Sequence, residues 1–167
     1  MHKKNFAVLG LGSNLGKKSK NLADAVKRLS GFCEIKAVSP VYKTESLLKD
    51  DQDSYFNICV FIFTEMDAES LLCAVKNIEK VMGRTYTGHW YTRTIDIDII
   101  DYNRSCYKSE NLVIPHPQAD KRSFVLFPMQ DVAPDYIHPI NCRSINDMVN
   151  NIEDDLGIKK LGDLLWQ

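Results

Sequence analysis

Two stretches of this chain repeat apolar residues at intervals of three and four, each between runs that read as β-strands, and few folds accommodate that order. Phe6 to Leu11 is a short apolar run closed by Gly12, the pattern of a central strand. From Ser19 onward Leu22, Ala25, Val26 and Leu29 fall at i, i+3, i+4 and i+7, which predicts a helix with one apolar face, stopped by Ser30 and Gly31. Cys33 to Lys43 reads as a second, more exposed strand, and Pro40 places it at an edge or a bulge. Residues 44–54 are charged and aperiodic, the mark of a loop, whereas Tyr55 to Thr64 is a strand rich in β-branched and aromatic residues. A second helix is predicted next, with Asp67 as its N-cap, Leu71, Val75, Ile78 and Met82 as its buried stripe and Gly83 as its stop. A loop at 83–93 leads into a last strand, RTIDIDII at 93–100.

Strand, helix, strand, twice over, predicts an α+β fold: a ferredoxin-like (βαββαβ) antiparallel sheet with its two helices on one face. Residues 101–167 hold Pro115, Pro117, Pro128, Pro134 and Pro139, with short helical patterns near Phe124 to Val132 and Ile145 to Ile152. Without an internal repeat or low-complexity linker, they read as a C-terminal elaboration packed on the same core. The length of 167 residues and 44% apolar content suit one domain over 1–167. A net charge of -1 argues against nucleic-acid binding through bulk electrostatics, which needs a surplus of Lys and Arg. Five scattered cysteines, with no C-x-x-C pair and no zinc spacing, read as free thiols in a reducing compartment. The N-terminal apolar run is too short for a signal-peptide core, and FNICVFIF is far below the ~20 residues of a membrane span. The expectation is a cytoplasmic protein without membrane or nucleic-acid partners.

The last strand poses a chemical question. With a period of two, Thr94, Asp96, Asp98 and Ile100 share one face while Ile95, Ile97 and Ile99 share the other, which packs on the helices. The two aspartates are then roughly 6.6–6.8 Å apart along the strand. At an effective dielectric of 20 such charges repel by roughly 2.5 kcal/mol. An arginine network or a divalent metal would offset that, and so would a solvated, salt-bridged face. Arg93 has the parity of the isoleucines and, if the strand reaches it, points away. Two Mg²⁺ ions roughly 3.5–4 Å apart fit between carboxylates at this spacing. Around the pair lie Arg84, His89, Trp90 and Arg93, and downstream His116, Lys121 and Arg122 in IPHPQADKRSF. Carboxylates flanked by arginine and histidine suit phosphoryl transfer, where catalysis is mostly positioning and charge neutralisation. Lys121, His138 and His2 have a plain surface or loop reading.

Three further features have two readings each. GLGSNLGKKS matches neither the dinucleotide nor the Walker template, so Gly12-Ser13-Asn14 reads as a tight strand exit whose side chains bond local backbone. Trp90 is either a lid over a flat ligand or an anchor for its loop. Tyr55 and Asn57 share a face with Cys59, Phe61 and Phe63, which suits a flat polar heterocycle and equally a core aromatic beside an edge amide.

Taken in order from Phe6 to Pro128, Gly12-Ser13-Asn14-Leu15, Tyr42-Lys43-Thr44, Tyr55-Phe56-Asn57, Gly83-Arg84, Trp90 to Asp98, Pro115-His116-Pro117 and Arg122-x-Phe124 resemble the 6-hydroxymethyl-7,8-dihydropterin pyrophosphokinase family of folate biosynthesis. The resemblance implies ATP as co-substrate, two Mg²⁺ ions, and transfer of pyrophosphate to the pterin hydroxymethyl group with release of AMP. By position it implies that Asp96 and Asp98 hold both metals. Thr44, the backbone near Leu47, Tyr55, Asn57, Trp90 and Phe124 would bind the pterin. Glu79, Arg84, Trp90, Arg93, Ile99, His116 and Arg122 would meet ATP, with Arg84 and Arg93 stabilising charge during transfer; for Glu79 a solvated helix position is the competing reading. It further implies a monomer acting on small molecules, alone or fused to other folate-pathway enzymes. The chain departs from the family pattern at Glu45, Ser46, Tyr86, Thr92, Asn111 and Val113. Two other functions fit the residues taken alone: a ferredoxin-like RNA-binding module, and a two-metal phosphodiesterase using the same aspartates.

Overall fold

The computed structural model describes residues 4–45, 53–83, 93–154 and 157–167. Strand β1 (Asn5–Ser13) lies between β4 (Tyr55–Thr64) and β5 (Asp96–Tyr102), antiparallel to both. On its far side β4 pairs with β2 (Glu34–Val38) and β3 (Val41–Thr44). The expected strand over Cys33 to Lys43 is therefore two. Pro40 has no N–H for a sheet ladder, and the chain breaks at Ser39, whose backbone N–H and Oγ turn to the carbonyl and N–H of Cys59 at 2.9 Å each.

Helices α1 (Lys18–Leu29) and α2 (Ala68–Val81) cover one face of this sheet. Leu22, Val26 and Leu29 from α1 and Leu71, Val75 and Ile78 from α2 close over Leu9, Ile58, Ile62, Ile95 and Ile97 in one core cluster. Asp67 caps α2 by accepting a hydrogen bond from the Ser70 N–H at 2.8 Å, and Gly83, with φ of 90°, follows its end. The sheet is the antiparallel, helix-covered α+β arrangement expected from the sequence.

Most of the C-terminal third builds a second core, although Leu112 and Ile114 join the first and Leu164 and Trp166 pack against it. After a small hairpin of β6 (Tyr107–Lys108) and β7 (Val113–Ile114), helices α3 (Ser123–Val132) and α4 (Ile145–Asn150) pack on the opposite face of the sheet. Val125, Leu126, Met129, Ile145 and Met148 meet Val8, Cys59 and Ile100 there in a second cluster. These strand residues are the apolar remainder of the alternating pattern, out of reach of α1 and α2. Last, β8 (Lys159–Gly162) pairs with β3 and gives the order β5-β1-β4-β3-β8. Among the described residues no helix is long and apolar enough to cross a membrane.

Candidate active site

Strand register sets out a lateral row at the end of the second face that α3 and α4 do not build. Gly12 of β1 is opposite Asp96 on one side and Asn57 on the other, and Asn57 is opposite Tyr42. Strands lie about 4.8 Å apart, so the backbones at Asp96 and Asn57 are about 10 Å apart with no side chain between them. A Cβ at Gly12 would come within 3.2 Å of Asn57 Oδ1. The next row, Asp98, Gly10 and Cys59, is closed instead, because Ile100 lies over Gly10 at 3.2 Å from a would-be Cβ. The result is a trough with a glycine floor, a carboxylate on one wall and an amide on the other.

The amide wall is held rigidly. Asn57 Nδ2 donates to Thr44 Oγ1 at 3.0 Å, and both residues are buried. Tyr55 pairs across the strands with Thr44 and shares the face of Asn57. Burial pushes the Tyr55 hydroxyl above its usual range, Arg93 opposes this and Asp96 adds to it, so both charges reach the ring. Phe124, on the first turn of α3, is partly buried against the second cluster, and the Arg122 guanidinium is 5.6 Å from its ring centroid.

On the other wall each aspartate has a cation. Arg93 Nη1 donates to Asp96 Oδ2 at 2.7 Å. Arg93 was to point away only if the strand reached it, and the strand begins at Asp96. Its backbone is held by Asn14, whose Oδ1 accepts the Arg93 N–H at 2.6 Å and whose own N–H donates to the Arg93 carbonyl at 3.2 Å. The strand-exit side chain thus bonds distant rather than local backbone. Ser13 Oγ likewise accepts not from local backbone but from the side chain of Asn21, whose Nδ2 lies 3.1 Å away on α1.

The second cation is Lys76, which sequence reasoning missed. Its Nζ is 3.9 Å from Asp98 Oδ1, 2.8 Å from Glu79 Oε1 and 3.1 Å from the Ile97 carbonyl oxygen. Glu79 Oε1 also accepts the Ile97 N–H at 2.7 Å. Lys76 and Glu79, one turn apart on α2, thereby satisfy the outward-facing backbone groups of the residue between the two aspartates, at the open edge of β5. Glu79 is 2% exposed, so the solvated reading of it is wrong. Burial pushes its carboxyl up, and the Lys76 ammonium and the Ile97 N–H act against that. The available signal was the i,i+3 spacing of a lysine and a glutamate flanking Val75 and Ile78.

His116 follows a cis Ile114–Pro115 peptide and is tied to β5 by its N–H to the Ile100 carbonyl, at 2.9 Å. Burial holds its imidazole below the usual range, with Asp98 opposing and Arg122 adding, so it too is within electrostatic reach of the aspartates. The Ile99 side chain is buried in the core under the helices. Leu47, Arg84, His89 and Trp90 lie outside the described residues.

Asp96 and Asp98, with side chains 27% and 42% exposed, offer hard oxygen donors on one face. No cluster of three metal-ligating side chains occurs among the described residues. That donor set fits Mg²⁺, which takes one or two carboxylates and completes its shell with water and phosphate oxygens.

Fold and site together define an α+β domain that sets paired carboxylates and their cations beside a glycine-floored trough. A family model, described as 7,8-dihydro-6-hydroxymethylpterin-pyrophosphokinase (HPPK), matches residues 8–134, and the chain belongs to this family. It is 35% identical over 139 residues to the 2-amino-4-hydroxy-6-hydroxymethyldihydropteridine pyrophosphokinase of Aquifex aeolicus, covering 83% of this chain and 87% of that protein. To the Folic acid synthesis protein FOL1 of Dictyostelium discoideum it is 40% identical over 148 residues, 89% of this chain but only 22% of that protein. The wild-type HPPK-DHPS of Plasmodium falciparum, solved with pterin and p-hydroxybenzoate, shares the fold with a TM-score of 0.75 at 20% identity, over 96% of this chain and 47% of that one. The chain thus spans about a fifth of one such relative and just under half of another.

Proposed function

We propose that this chain transfers the terminal pyrophosphate of ATP to the hydroxyl of 6-hydroxymethyl-7,8-dihydropterin, giving the pterin diphosphate and AMP, as one pyrophosphokinase domain over residues 1–167. The observation that carries the reading is the row Asp96, Gly12, Asn57: a glycine-floored trough with an anionic wall and an amide wall. Family membership supports it independently.

In the reaction the hydroxymethyl oxygen bonds to the β-phosphorus, the bond from that phosphorus to the α-phosphate oxygen breaks, and the hydroxyl proton leaves to solvent. Asn57, fixed by Thr44, offers the pterin a donor and an acceptor, while Tyr55 and Phe124 take the faces of the ring. Asp96 and Asp98 would hold two Mg²⁺ ions, which neutralise phosphate charge and lower the pKa of the attacking hydroxyl when bound. Arg93, already anchored by Asn14, turns its guanidinium to the phosphates as charge develops. Arg84 shares that task, and Trp90, His116, Arg122 and the main chain of Ile99 meet the nucleotide. Glu79 acts through the backbone of Ile97 rather than on ATP directly. Leu47 contributes backbone to the pterin site. The enzyme acts in the cytoplasm as a monomer, alone or joined to other folate enzymes; its five free thiols accord with that compartment.

The test is incubation with ATP, Mg²⁺ and the reduced pterin alcohol, with nucleotides separated by chromatography. AMP is expected, and Asp96→Ala or Asp98→Ala should abolish it while a cooperative thermal transition persists. ADP in place of AMP would make the protein an ordinary kinase, and an unchanged nucleotide pool would refute the reading.

A further inference from the structure

Lys76 has no part in the reaction as written, yet its ammonium is anchored at the site on two sides. Its Nζ has two anchors: Glu79, 2% exposed, at 2.8 Å, and the Ile97 carbonyl of β5 at 3.1 Å. A surface lysine ordinarily samples many rotamers and is a weak ion-pair partner. This one is fixed by a buried carboxylate and by the backbone of the residue that separates Asp96 from Asp98. From the outer edge of β5 it reaches to 3.9 Å from Asp98 Oδ1. Arg93 does the same for Asp96, at 2.7 Å. The aspartate pair is therefore held as two ion pairs, and any divalent cation must enter against fixed positive charge.

We propose that Lys76 is a resident counterion that weakens divalent-cation binding to the nucleotide-free protein, so that metal loads chiefly together with a triphosphate. This rests on the reading of Asp96 and Asp98 as metal ligands. Without nucleotide the ammonium opposes a doubly charged ion. Once a polyphosphate is present, its negative charge takes up the field of the ammonium, and the opposition fades. At water-like screening, a unit charge several Å from a divalent ion corresponds to a change in affinity on the order of tenfold. The arrangement keeps the trough from filling with free metal that would have to be displaced or repositioned when ATP arrives.

The experiment is calorimetric titration of Mn²⁺ into the wild-type protein, Lys76→Gln and Lys76→Met, with and without a non-hydrolysable ATP analogue. Gln keeps an N–H donor for Glu79 without the charge; Met keeps the stem alone. Thermal melting of each variant separates a charge effect from loss of fold, since removing Lys76 takes an ion-pair partner from the buried carboxyl of Glu79. Both variants should bind Mn²⁺ on the order of tenfold more tightly than wild type without nucleotide. The gain should shrink at least threefold with the analogue bound. Equal or weaker Mn²⁺ binding in a folded Lys76→Gln, or a gain that the analogue leaves unchanged, overturns the inference alone. No Mn²⁺ binding to the wild type even with the analogue, and none restored by either variant, overturns the metal site itself and the inference with it.

Discussion

Gly12 has an ordinary backbone conformation, so the case for glycine there is steric. A Cβ at this position would press on Asn57 Oδ1 at 3.2 Å. Asn57 cannot yield without straining its 3.0 Å bond to Thr44, a contact between two buried side chains. Gly12→Ala should therefore raise the KM for the pterin alcohol about tenfold, the scale of one displaced hydrogen bond. The apparent melting temperature should move by no more than a few degrees, and steady-state kinetics with each substrate varied in turn will tell the two effects apart. An unchanged pterin KM would mean that the trough is not where the pterin lies. The shared face of Asp96 and Asp98 was legible because strand parity is robust inside a strand. Arg93 lay outside that rule, since parity has no force before the strand begins. The solvated alternative for Glu79 failed because it sits beside the apolar stripe of α2, where position on the helix wheel does not decide between solvent and core. Its burial depends on the edge of β5, a tertiary fact.

Helix α2 links local sequence to the site, because its inner margin carries Lys76 and Glu79 to β5. Its start is set by Asp67, which satisfies one of the N–H groups a helix leaves open. Asp67→Ala should lower the free energy of unfolding by about 1 kcal/mol. In urea the midpoint should fall with the slope unchanged, while kcat stays near wild type because the lost cap lies more than two turns from Lys76. A fall in kcat larger than the fall in stability would place the N-terminus of α2 in the mechanism. Capping and apolar spacing made α2 readable, apolar spacing alone located α1, and β-branched and aromatic content located β4. The division of β2 from β3 was less readable: Pro40 announced an interruption, but only the turn of Ser39 toward Cys59 decides between a bulge and a break. Strand β8 carried no signal at all, for Lys159-Lys160-Leu161-Gly162 has no apolar alternation and is exposed throughout. Its pairing comes from the free edge of β3, which a linear reading cannot see.

Across the whole molecule the sheet order separates two ends of one structure. The aspartates sit on the edge strand β5, and the C-terminal strand β8 closes the opposite side, with β1, β4 and β3 between. Residues 157–167 nonetheless carry packing energy. Leu164 and Trp166 lie against the core under α1 and α2, and Lys160 pairs with Asp131 at 3.1 Å and lies 5.6 Å from the ring centroid of Tyr42. Burial of that ring, with Asp131 beside it, pushes the Tyr42 hydroxyl up to about 12, so the phenol stays a neutral donor to Asp131 across the working range. The packing of α3 and α4 on the second face was the part of the architecture least visible beforehand: the βαββαβ order was written in the periodicities, whereas the placement of these two helices required knowing which strand faces α1 and α2 leave bare. Ending the chain after Asp154 should cost roughly 2–4 kcal/mol of stability, the worth of two partly buried large side chains and a partly exposed ion pair. Because Thr44 sits on β3, the neighbour of β8, the pterin KM should rise before the ATP KM does, and kcat should stay within a few-fold. Urea denaturation and two-substrate kinetics on the truncated protein will show which holds. An unaltered midpoint would mean that the tail contributes nothing to the folded unit, and a collapse of kcat with intact folding would tie the chemistry at β5 to the far edge of the sheet.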